Sequence, residues 1–105
     1  MNERIQNQLS ALKIVRNSTH QQIIVDDTIA GIAFEAFEEL TRSVLVSVSM
    51  EPVRVRFDGT PPTALIGHKL EAGYIAVWSK ELAEDALFIR EGKFNASVDG
   101  QPLTH

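Results

Sequence analysis

Three histidines are the first residues to consider for chemistry, because histidine is the commonest metal ligand and a frequent general base. They are His20, His68 and His105, and none of them has a second histidine at the spacing that places two ligands on one helix face. His68 lies in the segment GHKLEAG, where a hydrogen bond from its ring to a loop carbonyl is the simpler role. The histidines therefore predict no metal site.

The carboxylates Asp26, Asp27 and Asp58 lie beside predicted turns, where aspartate commonly bonds its own backbone. The two acids of a glycosidase can be distant in sequence, so spacing alone leaves such a pair open. The glycine patterns GxGxxG, GxxxxGK[ST] and GxSxG are absent from the sequence. With no nucleophile and base in evidence, we expect a non-enzymatic protein without a cofactor.

Two pairs of side chains point instead to binding. Arg54 and Arg56 share a strand face with Asp58, which indicates either a solvated outer face or a contact with another subunit, where arginine is enriched. Tyr74 and Trp78 indicate either core packing, which is favoured, or a platform on which a sugar stacks.

The elements that position these side chains are dominated by two segments with a period of two, 43–49 and 53–57. Valines alternate with serine and leucine in the first, and with arginine in the second, as in strands with one buried face. The connection Met50-Glu51-Pro52 is short, which predicts an antiparallel hairpin between them.

Shorter β segments are predicted at 23–25, 29–34, 74–79, 86–90 and 94–98. Leu87 and Ile89 are expected to point inward, and Asp99-Gly100 is expected to end the last strand. Residues 34–42 fit a helical turn or a long loop, and Ser79 suits the N-cap of a helical turn in KELAED. Apolar side chains on both faces of 74–79 indicate a central strand or one covered by a partner.

The N-terminal segment has a different period. Ile5, Leu9, Leu12 and Arg16 recur at helical spacing over residues 2–16. A helix of this length is marginal alone, so it must dock, either on its own domain or on a neighbouring subunit. We therefore predict a helical arm at 1–19 and a β-sandwich domain at 20–105, mainly β in class: an Ig-like antiparallel sandwich or small barrel with an N-terminal α-helix.

The length and net charge of the chain limit the classes of partner that it is expected to bind. The 105 residues suit one domain, the net charge of -4 argues against a nucleic-acid partner, and no cysteine is present. No apolar run approaches the roughly 20 residues of a membrane span, and the N-terminus has no apolar region of a secretory signal. We expect a partner that is neither nucleic acid nor membrane.

Three pieces of the C-terminal half form a recognisable pattern: a strand running into DGTPPT at 55–63, the loop GHKLEAG at 67–73, and the segment FIREG at 88–92. Together they resemble a pattern in small structural proteins of tailed bacteriophages. The chain departs from that pattern at Tyr74, where aspartate is common, and in having Pro61 and Pro62 instead of one proline.

The resemblance implies a virion component assembled in the host cytoplasm, a capsid decoration (cement) or head protein. Its partners would be the major capsid protein or another virion protein, with homo-oligomerisation expected. The predicted partner-binding residues are Ile5, Leu9, Leu12, Arg54 and Arg56. The alternative is a carbohydrate-binding or host-attachment module that uses Trp78, Tyr74, Asp58 and His68.

Overall fold

Seven strands and one short helix make up residues 20–104, which are the part of the chain that the computed structural model describes. The elements in chain order are β1 (Gln21–Val25), β2 (Ser43–Ser49), β3 (Val53–Arg56), β4 (His68–Leu70), β5 (Ile75–Ser79), α1 (Lys80–Asp85), β6 (Leu87–Arg90) and β7 (Ala96–Leu103). The predicted helical arm, with Ile5, Leu9 and Leu12, lies outside the described residues.

The strands form two antiparallel sheets. The four-stranded sheet has the order β1-β7-β2-β5, and the three-stranded sheet has the order β4-β3-β6. Both sheets contribute to one cluster of buried side chains, in which Phe88 contacts Phe34 and Trp78. The prediction of a mainly β chain is confirmed, and the two sheets are compatible with a β-sandwich.

The predicted hairpin between β2 and β3 is wrong. β2 pairs with β5 and β7, whereas β3 pairs with β4 and β6 in the other sheet. The chain crosses between the sheets at Met50, which has a positive φ of 77°. The crossing turns the valines of both strands toward the same interior, so the burial that a hairpin would provide is achieved across the two sheets instead.

Two further β predictions fail at the three-stranded sheet. Residues 29–34 form no strand in the structure, and only an isolated bridge joins Ile32 to Phe88. In β6 it is Phe88, not Leu87 or Ile89, that is fully buried. The aromatic ring fills the space between the sheets, and the two aliphatic neighbours are left half-buried on the outer face.

The last strand differs from prediction at both ends. It starts at Ala96, so Phe94 is left 68% exposed, and it continues through Gly100 to Leu103. Gly100 does not end the strand because its missing side chain is what the packing requires: a Cβ there would lie 2.9 Å from the ring of Phe34 and 3.2 Å from Val44. The glycine admits Phe34 to the core.

The remaining local predictions are confirmed more closely. Residues 34–42 form a long connection without a helix, and Phe34, Phe37 and Thr41 are buried in it. The helix α1 begins where predicted, since the Ser79 hydroxyl accepts a hydrogen bond from the backbone N–H of Leu82 at 3.1 Å. This cap places α1 directly after β5, at one side of the four-stranded sheet.

Candidate partner-binding edge

The strand β5 lies at the end of the four-stranded sheet and pairs only with β2 among the described strands. Val48 N–H donates to the Tyr74 carbonyl at 2.9 Å, and Lys80 N–H donates to the Arg42 carbonyl at 3.2 Å. Antiparallel bonding alternates along a strand, so the backbone groups of Ile75 and Val77 point away from β2. They form an open edge that another strand can join.

The other sheet edges are shielded or short. At β6, the backbone of Ile32 exchanges two hydrogen bonds of 2.8 Å with Phe88. At β1, the Gln21 side chain makes two hydrogen bonds of 2.9 Å to the backbone of Glu35. The edge strand β4 has three residues. The strand β5 itself contains no charged residue and no proline, and these are two of the features that commonly prevent pairing at a sheet edge.

The outer face beside this edge carries an apolar surface that we call the β5 patch, defined as Leu45, Ile75 and Val77. Ile75 is 63% exposed and Val77 is 59% exposed. Leu45 is directly opposite Val77 in the β2–β5 register and is half-buried. The sequence signalled this patch, because it showed apolar side chains on both faces of 74–79. The prediction of a central strand is wrong, and coverage by a partner stays a prediction.

On the inner side of β5, a cleft of about 420 Å³ opens between β4 and β5. Its lining includes Phe57, His68, Leu70, Tyr74, Trp78 and Leu82. Trp78 is only 7% exposed, stacks on Phe88 with centroids 6.2 Å apart, and donates a hydrogen bond from Nε1 to the Tyr74 hydroxyl at 3.0 Å. Its favoured assignment to the core is confirmed, because its ring faces are engaged within the protein.

The two arginines of the predicted site lie on the outer face of the three-stranded sheet, and both bind within the chain. The Arg54 guanidinium donates to the Gly67 carbonyl at 2.9 Å and to Glu91 Oε2 at 3.2 Å. The Arg56 guanidinium pairs with Asp58. Gly67 suits this position for two reasons. Its φ of 126° is a backbone conformation that other residues rarely adopt, and a Cβ there would lie 3.1 Å from the Val55 carbonyl oxygen. Contact of the arginines with a subunit stays a prediction.

The charges of this outer face stabilise one another. Lys69 Nζ lies 3.3 Å from both Glu71 and Glu91, and hydrogen bonds to these carboxylates raise the pKa of Lys69. Partial burial acts to raise the pKa of Glu91, but the hydrogen bonds from Arg54 and Lys69 outweigh it and leave that pKa lowered. The Arg56 guanidinium and the Thr60 N–H likewise lower the pKa of Asp58.

The remaining candidates from the sequence have structural partners. The Asp26 carboxylate caps the turn at Thr28, whose hydroxyl and backbone N–H lower its pKa. Asp27 pairs with Arg90 at 3.2 Å. His20 Nδ1 lies 3.1 Å from Gln101 Oε1. Within residues 20–104 no group of three or more metal-ligating side chains is present, and His105 lies outside that range.

Tyr74 and His68 line the same cleft as Trp78, whereas Asp58 and His68 line a neighbouring depression of about 550 Å³. The structure thus gathers the four residues of the carbohydrate alternative around Phe57 and His68. The open edge of β5 was not among the predicted site residues, because an edge is defined by the strand order of the sheet.

No family model, no curated protein and no solved structure matches this chain. In the described part of the chain, no helix has the length and apolar character that crossing a membrane would need.

Proposed function

We propose that this protein is a non-enzymatic structural component of a tailed-phage virion, a capsid decoration (cement) or head protein, which binds coat subunits through the open edge of β5. The observation that carries the proposal is this edge, a five-residue strand that pairs on one side only among the strands of residues 20–104 and has no charged side chain. Addition of a partner strand to such an edge uses main-chain hydrogen bonds for affinity. The fold that we propose for residues 20–105 is an Ig-like antiparallel sandwich.

The resemblance to phage structural proteins supports the same class of function. Its three pieces, 55–63, 67–73 and 88–92, contain β4 and the ends of β3 and β6. They therefore build the three-stranded sheet, whose edge at β6 is shielded by Ile32. In this proposal the three-stranded sheet supplies the family-like framework, and the four-stranded sheet supplies the contact with the partner.

The virion assignment is tested by mass spectrometry on particles of the phage that encodes the chain, purified on a density gradient. We expect peptides of this protein in intact particles, at a copy number comparable with that of the coat protein. Particles that contain none would overturn the assignment. Light scattering on the purified chain measures whether the same edge also joins two copies.

The role of the edge is tested by two substitutions at one position. Val77→Pro removes the N–H that points to the open side, whereas Val77→Ala keeps it and removes two methyl groups, so a loss of apolar contact alone would weaken the alanine variant more. We expect Val77→Pro to abolish binding to particles that lack this protein, and Val77→Ala to retain most of it. Equal binding by the two variants, with unchanged thermal unfolding, would contradict strand addition.

A second candidate function is binding of a glycan in the cleft between β4 and β5, favoured by the aromatic lining of that cleft. Because Trp78 is part of the core, Trp78→Ala would confuse loss of binding with loss of folding. His68→Ala is the better probe, since His68 is exposed and its ring lies 6.1 Å from that of Phe57. A glycan array bound by the wild type and not by His68→Ala would support this candidate over strand addition.

A further inference from the structure

The interior between the two sheets is closed at one end and open at the other. At the closed end, beside β1 and β6, the Arg90 N–H donates to the Asp26 carbonyl at 3.0 Å, and Val25 and Phe88 are fully buried. At the open end, the edge strands β4 and β5 are separated by the cleft of about 420 Å³. The four-stranded sheet therefore ends at a point where the interior is still accessible.

Two side chains show that the inner layer is incomplete at the open end. His68 is opposite Val55 in the β3–β4 register, and Ala76 is opposite Val46 in the β2–β5 register. Directly opposite residues have their side chains on the same face of a sheet, and both valines are fully buried. His68 is nevertheless exposed, and Ala76 is half-buried. Within residues 20–104, these two inward positions thus lack the covering layer that the valines have.

A strand added to β5 supplies a side chain at this place. The backbone groups of Ile75 and Val77 point to the open side, so in an antiparallel pair they form the hydrogen-bonded pairs with the partner. The partner residue opposite Ala76 then belongs to a non-hydrogen-bonded pair, with Cα atoms about 4.5 Å apart and the side chains at their closest. Its side chain takes the same direction as the methyl group of Ala76, toward the cleft.

The lining of the cleft suits an apolar side chain. Phe57 and Trp78 meet edge to face with ring centroids 5.2 Å apart, and Leu70 and Leu82 add aliphatic surface. The ammonium group of Lys69, which also borders the cleft, is paired with two glutamates. A cavity of about 150 Å³ holds a benzene-sized ring, so the cleft accommodates a large side chain, and covering its apolar surface is favourable.

A second copy of this chain has no free side chain of that kind on its own β5. The inward residues of the strand are Tyr74, Ala76 and Trp78. Ala76 is small, and the Trp78 indole donates to the Tyr74 hydroxyl at 3.0 Å while its ring stacks on Phe88. Whichever of the three came opposite Ala76, it would be too small or already engaged in its own core. The cleft therefore favours a strand from a different protein.

From these observations we infer that the partner is an extended segment of another protein with one large apolar side chain opposite Ala76, and that this side chain fills the cleft between β4 and β5. The inference rests on the proposed addition of a strand to β5 and names the residue that makes such a strand specific. Main-chain hydrogen bonds to Ile75 and Val77 give affinity for any extended segment, whereas a pocket for an alternate side chain selects among segments.

The test uses capped synthetic peptides of the sequence Lys-Ser-Val-X-Val-Ser-Lys, titrated into the isotope-labelled full-length chain and followed by NMR. With X opposite Ala76, the two valines face outward beside Ile75 and Val77, and the serines avoid a clash with Tyr74 and Trp78. One peptide has leucine at X and its matched control has serine. A third peptide has leucine at X and a methyl group on the backbone nitrogen of each valine, which removes the donors to β5.

We expect the leucine peptide to bind at least about tenfold more tightly than the serine peptide, because it buries a leucine side chain in the cleft. The N-methylated peptide should not bind. Equal affinities of the leucine and serine peptides, with no binding by the N-methylated one, would overturn the inference and leave strand addition standing. Binding by the N-methylated peptide, or by none of the three, would contradict strand addition itself and the inference with it.

The position of the leucine is tested in the same titrations. In the wild type, the indole N–H signal of Trp78 should shift with the leucine peptide and not with the serine peptide. His68→Trp fills the cleft from β4 and should reduce the leucine peptide to the affinity of the serine peptide. Lys69→Trp is the matched control, since its side chain lies on the other face of β4, and it should keep the tenfold preference. A preference retained by both variants would place the leucine outside the cleft and overturn the inference.

Light scattering on the wild type identifies the remaining occupant. We expect the leucine peptide to leave the mass of the chain unchanged apart from its own. A dimer that the leucine peptide dissociates would show that a second copy occupies the edge and the cleft, and would overturn the assignment to a different protein.

Discussion

The outer faces of the two sheets differ in the side chains that they expose to solvent: one carries charged side chains that are paired within the chain, and the other carries exposed apolar side chains. The face of the three-stranded sheet carries Arg54, Arg56 and Lys69, and their partners are carboxylates and a carbonyl of the same chain. The outer face of the four-stranded sheet carries serine and glutamine side chains together with the exposed β5 patch. The one charged residue of β7 is Asp99.

This difference indicates which surface is available. An arginine that already bonds a backbone carbonyl and a glutamate must break those bonds before it can bind a partner, and such bonds are costly to break. Apolar side chains in water gain free energy when they are covered. The arginines of the charged face are thus engaged within the chain, whereas the apolar β5 patch and the edge of β5 are the surfaces that gain from a contact.

The largest expected effect concerns the core that both faces share. Phe88→Ala should lower the free energy of unfolding by about 3–5 kcal/mol, because it removes a fully buried ring between the sheets. Phe94→Ala is the matched control, since Phe94 is exposed, and it should change stability by less than about 0.5 kcal/mol. Urea unfolding measures both. Similar losses for the two variants would mean that Phe88 does not join the sheets.

The next effect concerns the charged face. Arg54→Ala should cost roughly 1.5–3 kcal/mol, because it leaves the Gly67 carbonyl without its charged donor and leaves Glu91 with Lys69 as its one cationic partner among the described residues. The control is Arg42→Ala, because Arg42 is exposed and precedes β2 of the four-stranded sheet. We expect this variant to lose less than about 0.5 kcal/mol of unfolding free energy. Equal stabilities of the two variants in urea would remove the contrast between the faces.

The smallest expected effect is the pH dependence of the same face. The pKa values of Glu91 and Asp58 are lowered in the folded protein. Their ionised forms therefore increase the free energy of unfolding at pH values above the ordinary pKa values of 4.5 and 3.8. This stabilisation is lost as the pH falls through the lower pKa values of the folded protein. The raised pKa of Lys69 acts in the opposite direction, and its contribution is lost as pH rises above 10.5.

Thermal unfolding followed from pH 7 downward, in wild type and Glu91→Gln, measures the acid branch. We expect the wild type to lose stability below about pH 4.5 more steeply than the variant, which lacks that titration. Parallel curves would show that Glu91 contributes no proton linkage.

Much of the local structure could be predicted from residue patterns. The strands at 43–49 and 53–56 and the capped turn after Ser79 were predicted within a residue or two. The failures lie where packing overrides a local signal. Gly100 was read as a strand terminator but serves to admit the ring of Phe34, and Phe88 occupies the interior although the flanking Leu87 and Ile89 have apolar side chains too.

The candidate site was predicted less well than the fold. Arg54 and Arg56 could be placed on one strand face, but their partners Gly67, Glu91 and Asp58 include residues up to 37 positions away along the chain. The open edge of β5 could not be located, because a strand is an edge only in relation to the other strands of its sheet.

The amino-acid sequence specifies the alternation in each strand, and hence which side chains need burial. It leaves the pairing of the strands open, because the valines of β2 and β3 are equally buried whether the two strands pair in one sheet or face each other across two. The pairing is set by the packed fold, because backbone hydrogen bonds form between any two strands whatever their side chains. The choice rests on how Phe34, Trp78 and Phe88 fill one shared interior.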